Sequence, residues 1–132
     1  MTENELKNIF SEQDRFAKMC GVVIDSAADG SASGHMDVTP SHLNALGSVQ
    51  GGAIFTLADT VSAAAANSLG KPAVTIQSNV HYVRAARPAG SLTAKATPLA
   101  RHRLMPSFLV EVTDAEGRSV FESTAIFYVK EP

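Results

Sequence analysis

The sequence contains no tryptophan, a single cysteine and no long hydrophobic run among its 132 residues. Because Cys20 has no possible partner within the chain, an internal disulfide is excluded and a cytoplasmic location is favoured. No apolar segment approaches the roughly 18 residues that a membrane-spanning helix needs, so no membrane association is expected. The 4 histidines include no pair at metal-ligand spacing, and we therefore predict no metal site.

Charge of one sign is also scarce, since the formal net charge is −2. This balance gives no overall field that attracts nucleic acid, and the basic residues lack interleaved aromatic side chains, so no nucleic-acid partner is expected. A hydrophobic fraction of 45% with 18% charged residues is typical of a globular protein. The length predicts one domain over residues 1–132.

Hydrophobic periodicity predicts a helical segment and two strands before the middle of the chain. Residues 1–20 carry apolar side chains at the spacing of a short amphipathic helix: Leu6, Ile9, Phe10 and Phe16. Two strands are predicted over residues 21–38, separated by a turn at residues 28–30. Four further strands are predicted over residues 74–82, 90–99, 107–113 and 119–129.

The long helix is predicted over residues 51–70, where Gly51-Gly52 opens the helix and Gly70 closes it. Apolar side chains recur on one of its faces, and four consecutive alanines allow a neighbouring sheet to approach closely. Runs of strands joined by short turns imply an antiparallel sheet, so the fold class is α+β. One buried helix wrapped by a curved antiparallel sheet fits this order of elements.

The start of the long helix carries the clearest chemical signal. A Gly-Gly pair exposes backbone N–H groups that no side chain shields, and the helix dipole adds partial positive charge there. Such a place suits a developing oxyanion. Asp59 follows about two turns later, among apolar and alanine neighbours, where a carboxylate can act as general base or nucleophile. The alternative is an ordinary helical aspartate that forms an ion pair with a nearby arginine.

The same segment resembles the hotdog-fold acyl-CoA thioesterases of the PaaI-like (phenylacetate-degradation) subfamily. The matching positions are Asn44, Gly47, Gly51, Gly52, Phe55, Leu57, Ala58 and Asp59. The resemblance continues through residues 67–68 and 79–90. It implies a single hotdog domain that hydrolyses an acyl- or aryl-acyl-CoA to the free acid and coenzyme A. It also implies a homo-oligomer, a dimer or a tetramer of hotdog dimers, with no cofactor besides the coenzyme A of the substrate.

The resemblance also implies roles for individual residues. Asp59 corresponds to the catalytic carboxylate, and the backbone N–H of Gly51 to the oxyanion donor. Asn44 would position the thioester or water, from the same chain or across a dimer interface. Thr75 falls where related enzymes place a hydroxyl that orients water, although an ordinary strand residue is the simpler interpretation.

Gln50 departs from the pattern, because the family usually has histidine directly before the Gly-Gly pair. Glutamine can donate a hydrogen bond to a thioester carbonyl but cannot shuttle a proton near neutral pH. Activity is therefore expected to survive with an altered rate or substrate range. A non-catalytic acyl-CoA-binding or regulatory protein is the alternative that Gln50 favours, and a hydroxyacyl-thioester dehydratase is a further one that the missing histidine disfavours.

A set of basic residues, which the sequence places in two β segments, is the candidate for coenzyme A binding. Guanidinium groups suit the diphosphate and the 3′-phosphate of coenzyme A. The candidates are Arg84, Arg87, Arg101 and Arg103, with His102 beside them. The alternative is a set of solvated charges at strand ends. The sequence does not specify which acyl group is the substrate.

Overall fold

The structure is a computed structural model that describes residues 1–130. Its regular elements follow the order that the hydrophobic pattern predicts: an N-terminal helical segment, two strands, one long helix and four strands. The helices are α1 (Glu3–Asn8), α2 (Arg15–Cys20) and α3 (Gly51–Asn67). The strands are β1 (Val22–Ala28), β2 (Ser31–Asp37), β3 (Ala73–Tyr82), β4 (Ser91–Ala100), β5 (Ser107–Thr113) and β6 (Ser119–Val129).

The six strands form one antiparallel sheet in the order β1-β2-β4-β5-β6-β3. The chain passes through helix α3 between β2 and β3, and the strand that pairs with β2 is β4 rather than β3. The strand that follows the helix, β3, pairs with β6 on one side and forms an edge of the sheet on the other. The α+β class and the single long helix against a curved antiparallel sheet are confirmed.

Small residues bring α3 close to the sheet. Ala64, Ala65 and Ala66 of the helix are buried, with at most 1% of their surface exposed. On the sheet side, a Cβ atom added to Gly34 of β2 would lie 2.7 Å from the Val23 carbonyl oxygen and 2.8 Å from Cγ2 of Val61. The close approach therefore requires glycine at position 34. The predicted role of the alanines in helix–sheet packing is confirmed.

The N-terminal segment differs from the single amphipathic helix that the sequence predicts for residues 1–20. It consists of α1, a π-helical stretch (Ile9–Gln13) and α2. The break comes at Asp14, whose extended backbone leaves the helix and whose Oδ1 accepts from the Ala17 N–H at 3.1 Å, capping α2. As a consequence Phe16 does not join the apolar face of α1 but is 60% exposed.

The long helix also ends earlier than residue 70, because α3 stops at Asn67. The Asn67 side chain bonds to the next strand, donating to the Ala73 carbonyl at 3.2 Å and accepting from the Ala73 N–H at 3.1 Å. These bonds turn the chain from the helix into β3. Gly70, with a φ of 108°, lies in the intervening turn rather than directly at the helix end.

Candidate active site

One backbone donor is left free where α3 begins. Gln50 is the N-cap, and its Oε1 accepts a short hydrogen bond from the Gly52 N–H. The Gln50 carbonyl accepts from Ala53 N at 2.9 Å and from Ile54 N at 3.3 Å. Within residues 1–130 the Gly51 N–H has no acceptor. Helix starts normally leave several donors free, and here capping has reduced them to a single amide that points out of the helix end.

A buried histidine fixes the loop that leads into this helix. His42 is 8% exposed; its Nε2 donates to the Cys20 carbonyl at 2.6 Å and its Nδ1 accepts from the Thr39 N–H at 3.0 Å. Its own carbonyl accepts from the Gln50 N–H at 2.8 Å. Because both ring nitrogens are occupied, His42 anchors Gln50 and has no nitrogen left for proton transfer.

Asn44 shapes the same loop. Its Oδ1 accepts from the Leu46 N–H at 2.9 Å and from the Ser48 N–H at 3.0 Å. The side-chain NH₂ makes no hydrogen bond among the described residues, so it is the part of Asn44 available to a ligand. Asn44 and Gly51 line the same cleft.

Asp59 lies half-buried on α3, where Thr75 Oγ1 of β3 donates to its Oδ1 at 3.2 Å. Burial raises the pKa of Asp59 above its ordinary value, and the negative charge of Asp14 raises it further, while the Thr75 hydrogen bond lowers it. Asp59 forms no ion pair in the described part of the chain, so the interpretation as an arginine-paired helical aspartate is wrong. The structure brings Asp59 and Thr75 into direct contact.

Tyr82, at the end of β3, is a residue of the site that sequence reasoning did not single out. Its hydroxyl donates to the Gly51 carbonyl at 3.1 Å, and its ring carbons lie 3.2 Å from where a Cβ on Gly51 would be. The ring also stacks edge-on against Phe121, with centroids 5.3 Å apart. The available signal was its place in the segment 79–90, which carries the second half of the resemblance.

Two openings flank the Gly51-Gly52 pair. The first, here called the Arg84 cleft, has a volume of about 380 Å³ and is lined by polar groups that include Asn44, Gly51, Tyr82 and Arg84. The second, here called the Phe16 groove, has a volume of about 310 Å³ between α2 and α3. Its lining includes Phe16, Cys20, Gln50, Gly52 and Thr56. The helix start therefore separates a cleft with a positive charge from a groove with an aromatic wall.

The structure does not bring the four candidate arginines together within one chain. All four lie in loops rather than in β strands, which corrects the placement expected from the sequence. Arg84 lines the cleft at the start of α3, whereas Arg101 and Arg103 line a separate cavity of about 260 Å³ beside Leu69, beyond the helix end. A helix of 17 residues separates the two places by about 25 Å. Arg87 forms an exposed ion pair with Glu116 at 2.6 Å.

The described residues contain no group of three or more histidine, cysteine, aspartate or glutamate side chains placed to hold a metal ion. Of the helices over residues 1–130, none is long and apolar enough to cross a membrane.

Comparison with known proteins identifies the family. A family model described as the thioesterase superfamily matches residues 46–121. The acyl-coenzyme A thioesterase PaaI of Escherichia coli is 33% identical over 109 residues, covering 83% of this chain and 78% of the relative. A structure of the E. coli PaaI protein superposes with a TM-score of 0.91 at 28% identity, covering 96% of this chain and 92% of that one.

A hypothetical thioesterase from Streptococcus pneumoniae, solved with coenzyme A, superposes with a TM-score of 0.82 at 30% identity, covering 91% of this chain and 96% of that one. The family match spans more than half of the chain and includes Gly51, Asp59 and Thr75. The chain therefore belongs to the thioesterase superfamily, as a PaaI-like member with the hotdog fold.

Proposed function

We propose that the protein hydrolyses acyl-CoA thioesters to the free acid and coenzyme A. The observation that carries this proposal is the pair of groups on α3: a Gly51 N–H without an acceptor and a half-buried Asp59 without a counter-ion. A free amide suits the oxyanion of a tetrahedral intermediate, and a desolvated carboxylate suits attack on the thioester carbon. The relatives named acyl-CoA thioesterase and the neighbour solved with coenzyme A support this substrate class.

The distance between these two groups indicates that one chain does not form a complete site. Gly51 and Asp59 are eight residues apart in α3, which is about 12 Å along the helix axis. A general base must approach its proton within about 3 Å, directly or through one water. A single thioester carbonyl group therefore cannot lie close to both Gly51 and Asp59 of the same chain. We therefore pair Gly51 of one chain with Asp59 of a second copy.

The free edge of the sheet provides a surface for this second copy. Strand β3 lies at an edge of the sheet, and its apolar residues Val74 and Ile76 are 42% and 54% exposed. Exposed edge strands with apolar side chains pair readily with other chains. Thr75 contacts Asp59 near the start of β3, and Tyr82 contacts Gly51 at its end. Antiparallel pairing of β3 with β3 of a second copy brings opposite ends together, which supports a homodimer or a tetramer of dimers.

The reaction then follows from these positions. The thioester carbonyl oxygen accepts from the Gly51 N–H, which stabilises the negative charge that forms on it. Asp59 of the second copy removes a proton from water, whose oxygen attacks the carbonyl carbon; the carbon–sulfur bond breaks and the proton passes to the leaving thiolate. In the alternative route, Asp59 itself attacks, a mixed anhydride forms as the thiolate leaves, and water then hydrolyses the anhydride. Thr75 orients the carboxylate in both routes.

The two openings suit the two halves of the substrate. The Arg84 cleft offers a guanidinium without an ion pair in the described chain, which suits a phosphate of coenzyme A. The Phe16 groove offers an aromatic wall and small side chains, which suit an acyl or aryl group. Arg101 and Arg103 stay candidates for a phosphate that reaches the other end of α3. Arg87 is the weakest candidate because Glu116 already neutralises its charge.

Steady-state kinetics on a panel of aryl-, short- and medium-chain acyl-CoA substrates tests the proposal. We expect Asp59→Asn to lower kcat by at least about 10²-fold, since general acid–base catalysis contributes about 10²–10⁴-fold. Asp25→Asn is the matched control, because Asp25 is exposed and its carboxylate pairs with His35 of β2 rather than with a residue of the proposed site. Equal rates for wild type and Asp59→Asn would overturn the catalytic assignment. Phe16→Ala should change the order of preference among acyl groups.

A non-catalytic acyl-CoA-binding protein is the second candidate, which Gln50 favours by standing where the family usually has histidine. Tight binding of acyl-CoA in calorimetry, without turnover of any panel member, would establish it. A dehydratase is disfavoured because His42, the histidine nearest the helix start in sequence, has both ring nitrogens engaged. Cytoplasmic location and the absence of a cofactor stay predictions, to be tested by fractionation and by assays of metal-stripped protein.

A further inference from the structure

Tyr82 makes two kinds of contact with the same glycine. Its hydroxyl donates to the Gly51 carbonyl at 3.1 Å, and its ring occupies the space that a side chain at position 51 would need. The ring cannot slide away easily, because Phe121, fully buried, packs edge-on against it. Tyr82 is nevertheless 49% exposed, so burial alone does not explain a tyrosine at this position.

The neighbouring hydrogen bonds show which group this contact controls. The Gly52 N–H belongs to the same peptide unit as the Gly51 carbonyl, and Gln50 Oε1 holds it. Tyr82 and Gln50 therefore fix the two polar ends of one peptide plane. The Gly51 N–H belongs to the adjacent plane and is the group left free. The plane that carries the Gly51 N–H is held at its other end by the Gln50 carbonyl, which accepts from Ala53 N and Ile54 N. Tyr82 adds a restraint across Gly51 itself, where glycine has the widest backbone freedom of any residue.

We propose that Tyr82 is a positioning residue for the reaction: it holds the Gly51 amide in the direction needed to donate to the thioester oxyanion. This role rests on the proposed thioesterase function. Tyr82 acts through Gly51, and its ring at the same time forms a wall of the Arg84 cleft. Its position on β3 also links the amide to the edge strand on which a second copy is expected to pair.

The test compares Tyr82→Phe with wild type. The variant keeps the ring and its contact with Phe121 but removes the hydroxyl, so folding should be preserved. We expect kcat to fall about 3- to 10-fold with KM changed less than about twofold, as for a lost hydrogen bond that matters in the transition state. Tyr128→Phe is the matched control, because Tyr128 is 43% exposed and its hydroxyl has no partner in the described chain. The oligomer mass of both variants is measured alongside.

Binding of two unreactive analogues separates positioning from general packing. A fluorinated ketone analogue, in which CF₂ replaces the thioester sulfur, binds as a tetrahedral hydrate whose oxygen accepts from Gly51 as the oxyanion would; a thioether analogue lacks that oxygen. Tyr82→Phe should weaken binding of the ketone analogue about 3- to 10-fold, which is the effect of one lost hydrogen bond. Binding of the thioether analogue should stay unchanged. If Tyr82→Phe weakens binding of both analogues equally, or has the same kcat as an active wild type, the positioning role of Tyr82 is overturned. Neither result overturns the proposed function. A wild type that hydrolyses no acyl-CoA overturns the proposed function, and this role with it.

Discussion

At the scale of single residues, the ionisation of Asp59 sets the expected pH dependence. The proposed mechanism requires the ionised carboxylate of Asp59, so kcat/KM should fall as the pH drops through the pKa of Asp59. Burial raises that pKa, so the acidic limb of the profile should lie above the range of an exposed aspartate. The two groups that shift the pKa in opposite directions, Asp14 and Thr75, allow the assignment to be tested without touching the carboxylate itself.

Asp14→Asn should move the acidic limb to lower pH, because removing a negative charge near Asp59 lowers its pKa. Asparagine is as good an N-cap as aspartate, so α2 should be retained. Thr75→Val should move the limb to higher pH, because the carboxylate loses the hydrogen bond that favours its charged form. The measurement is kcat/KM against pH for all three proteins. Shifts in the same direction for both variants would show that another group controls the limb.

Gln50 illustrates what the sequence could not reveal. Its type excludes proton transfer, but its use as the N-cap of α3 depends on a side-chain conformation that the pattern does not specify. Gln50→Ala should lower the free energy of unfolding by about 1 kcal/mol, as for other lost N-caps. Gln50→Asn keeps a side-chain amide as the cap and should lower the free energy of unfolding only slightly. Urea denaturation measures both values, and equal stability of the two variants would exclude a capping role.

At the scale of elements, periodicity and turn residues predicted the bounds of strands better than the sequence predicted the contacts of single side chains. The bounds of β5 and β6 match the predicted 107–113 and 119–129, because clear turn residues flank both strands. The N-terminal segment was mispredicted because its break depends on Asp14 capping α2 and on a tertiary bond, in which Ser11 Oγ accepts from the Ile24 N–H at 2.9 Å. A contact between distant segments leaves no periodic trace.

The packing of α3 on β2 gives a prediction at this scale. Gly34→Ala should destabilise the protein by about 1–3 kcal/mol, the usual effect of overpacking, because the added methyl group meets the Val23 backbone and Val61. Ser31→Ala is the control on the same strand, since Ser31 is exposed. Thermal unfolding measures the difference. If Gly34→Ala unfolds with the same midpoint as Ser31→Ala, the helix and the sheet are not as close as the structure has them.

At the scale of the whole molecule, each chain contributes only part of each proposed active site. Asp59→Asn and Asn44→Ala damage opposite halves, because Asn44 lies beside Gly51 of its own chain. Each variant is first measured alone and is expected to have little activity. When the two are unfolded together and refolded at equal amounts, half of the dimers are mixed and each mixed dimer has one intact site. We expect roughly a quarter of the wild-type activity from this statistical mixing. Activity no higher than that of the separate variants would place the complete site within one chain.

The β3 edge is the expected interface for this pairing. Ile76→Lys should reduce the oligomer to smaller species in light scattering, because a charge replaces an apolar side chain that is 54% exposed in the single chain. Val23→Lys is the control on the opposite edge strand, where Val23 is 41% exposed. The fold could be inferred from one sequence, whereas the proposed division of the site between chains rests on the family resemblance and on the separation of Gly51 and Asp59 along α3.

The eight-residue separation on α3 has a consequence for how the enzyme responds to its own abundance. If hydrolysis needs two chains, activity below the dissociation constant of the dimer rises with the square of the protein concentration, and a newly made chain is inert until it meets another. Dilution would then switch the enzyme off without any inhibitor. The hydrolytic capacity of a cell would follow synthesis of this protein with a threshold, and free chains would spare coenzyme A esters that other reactions need.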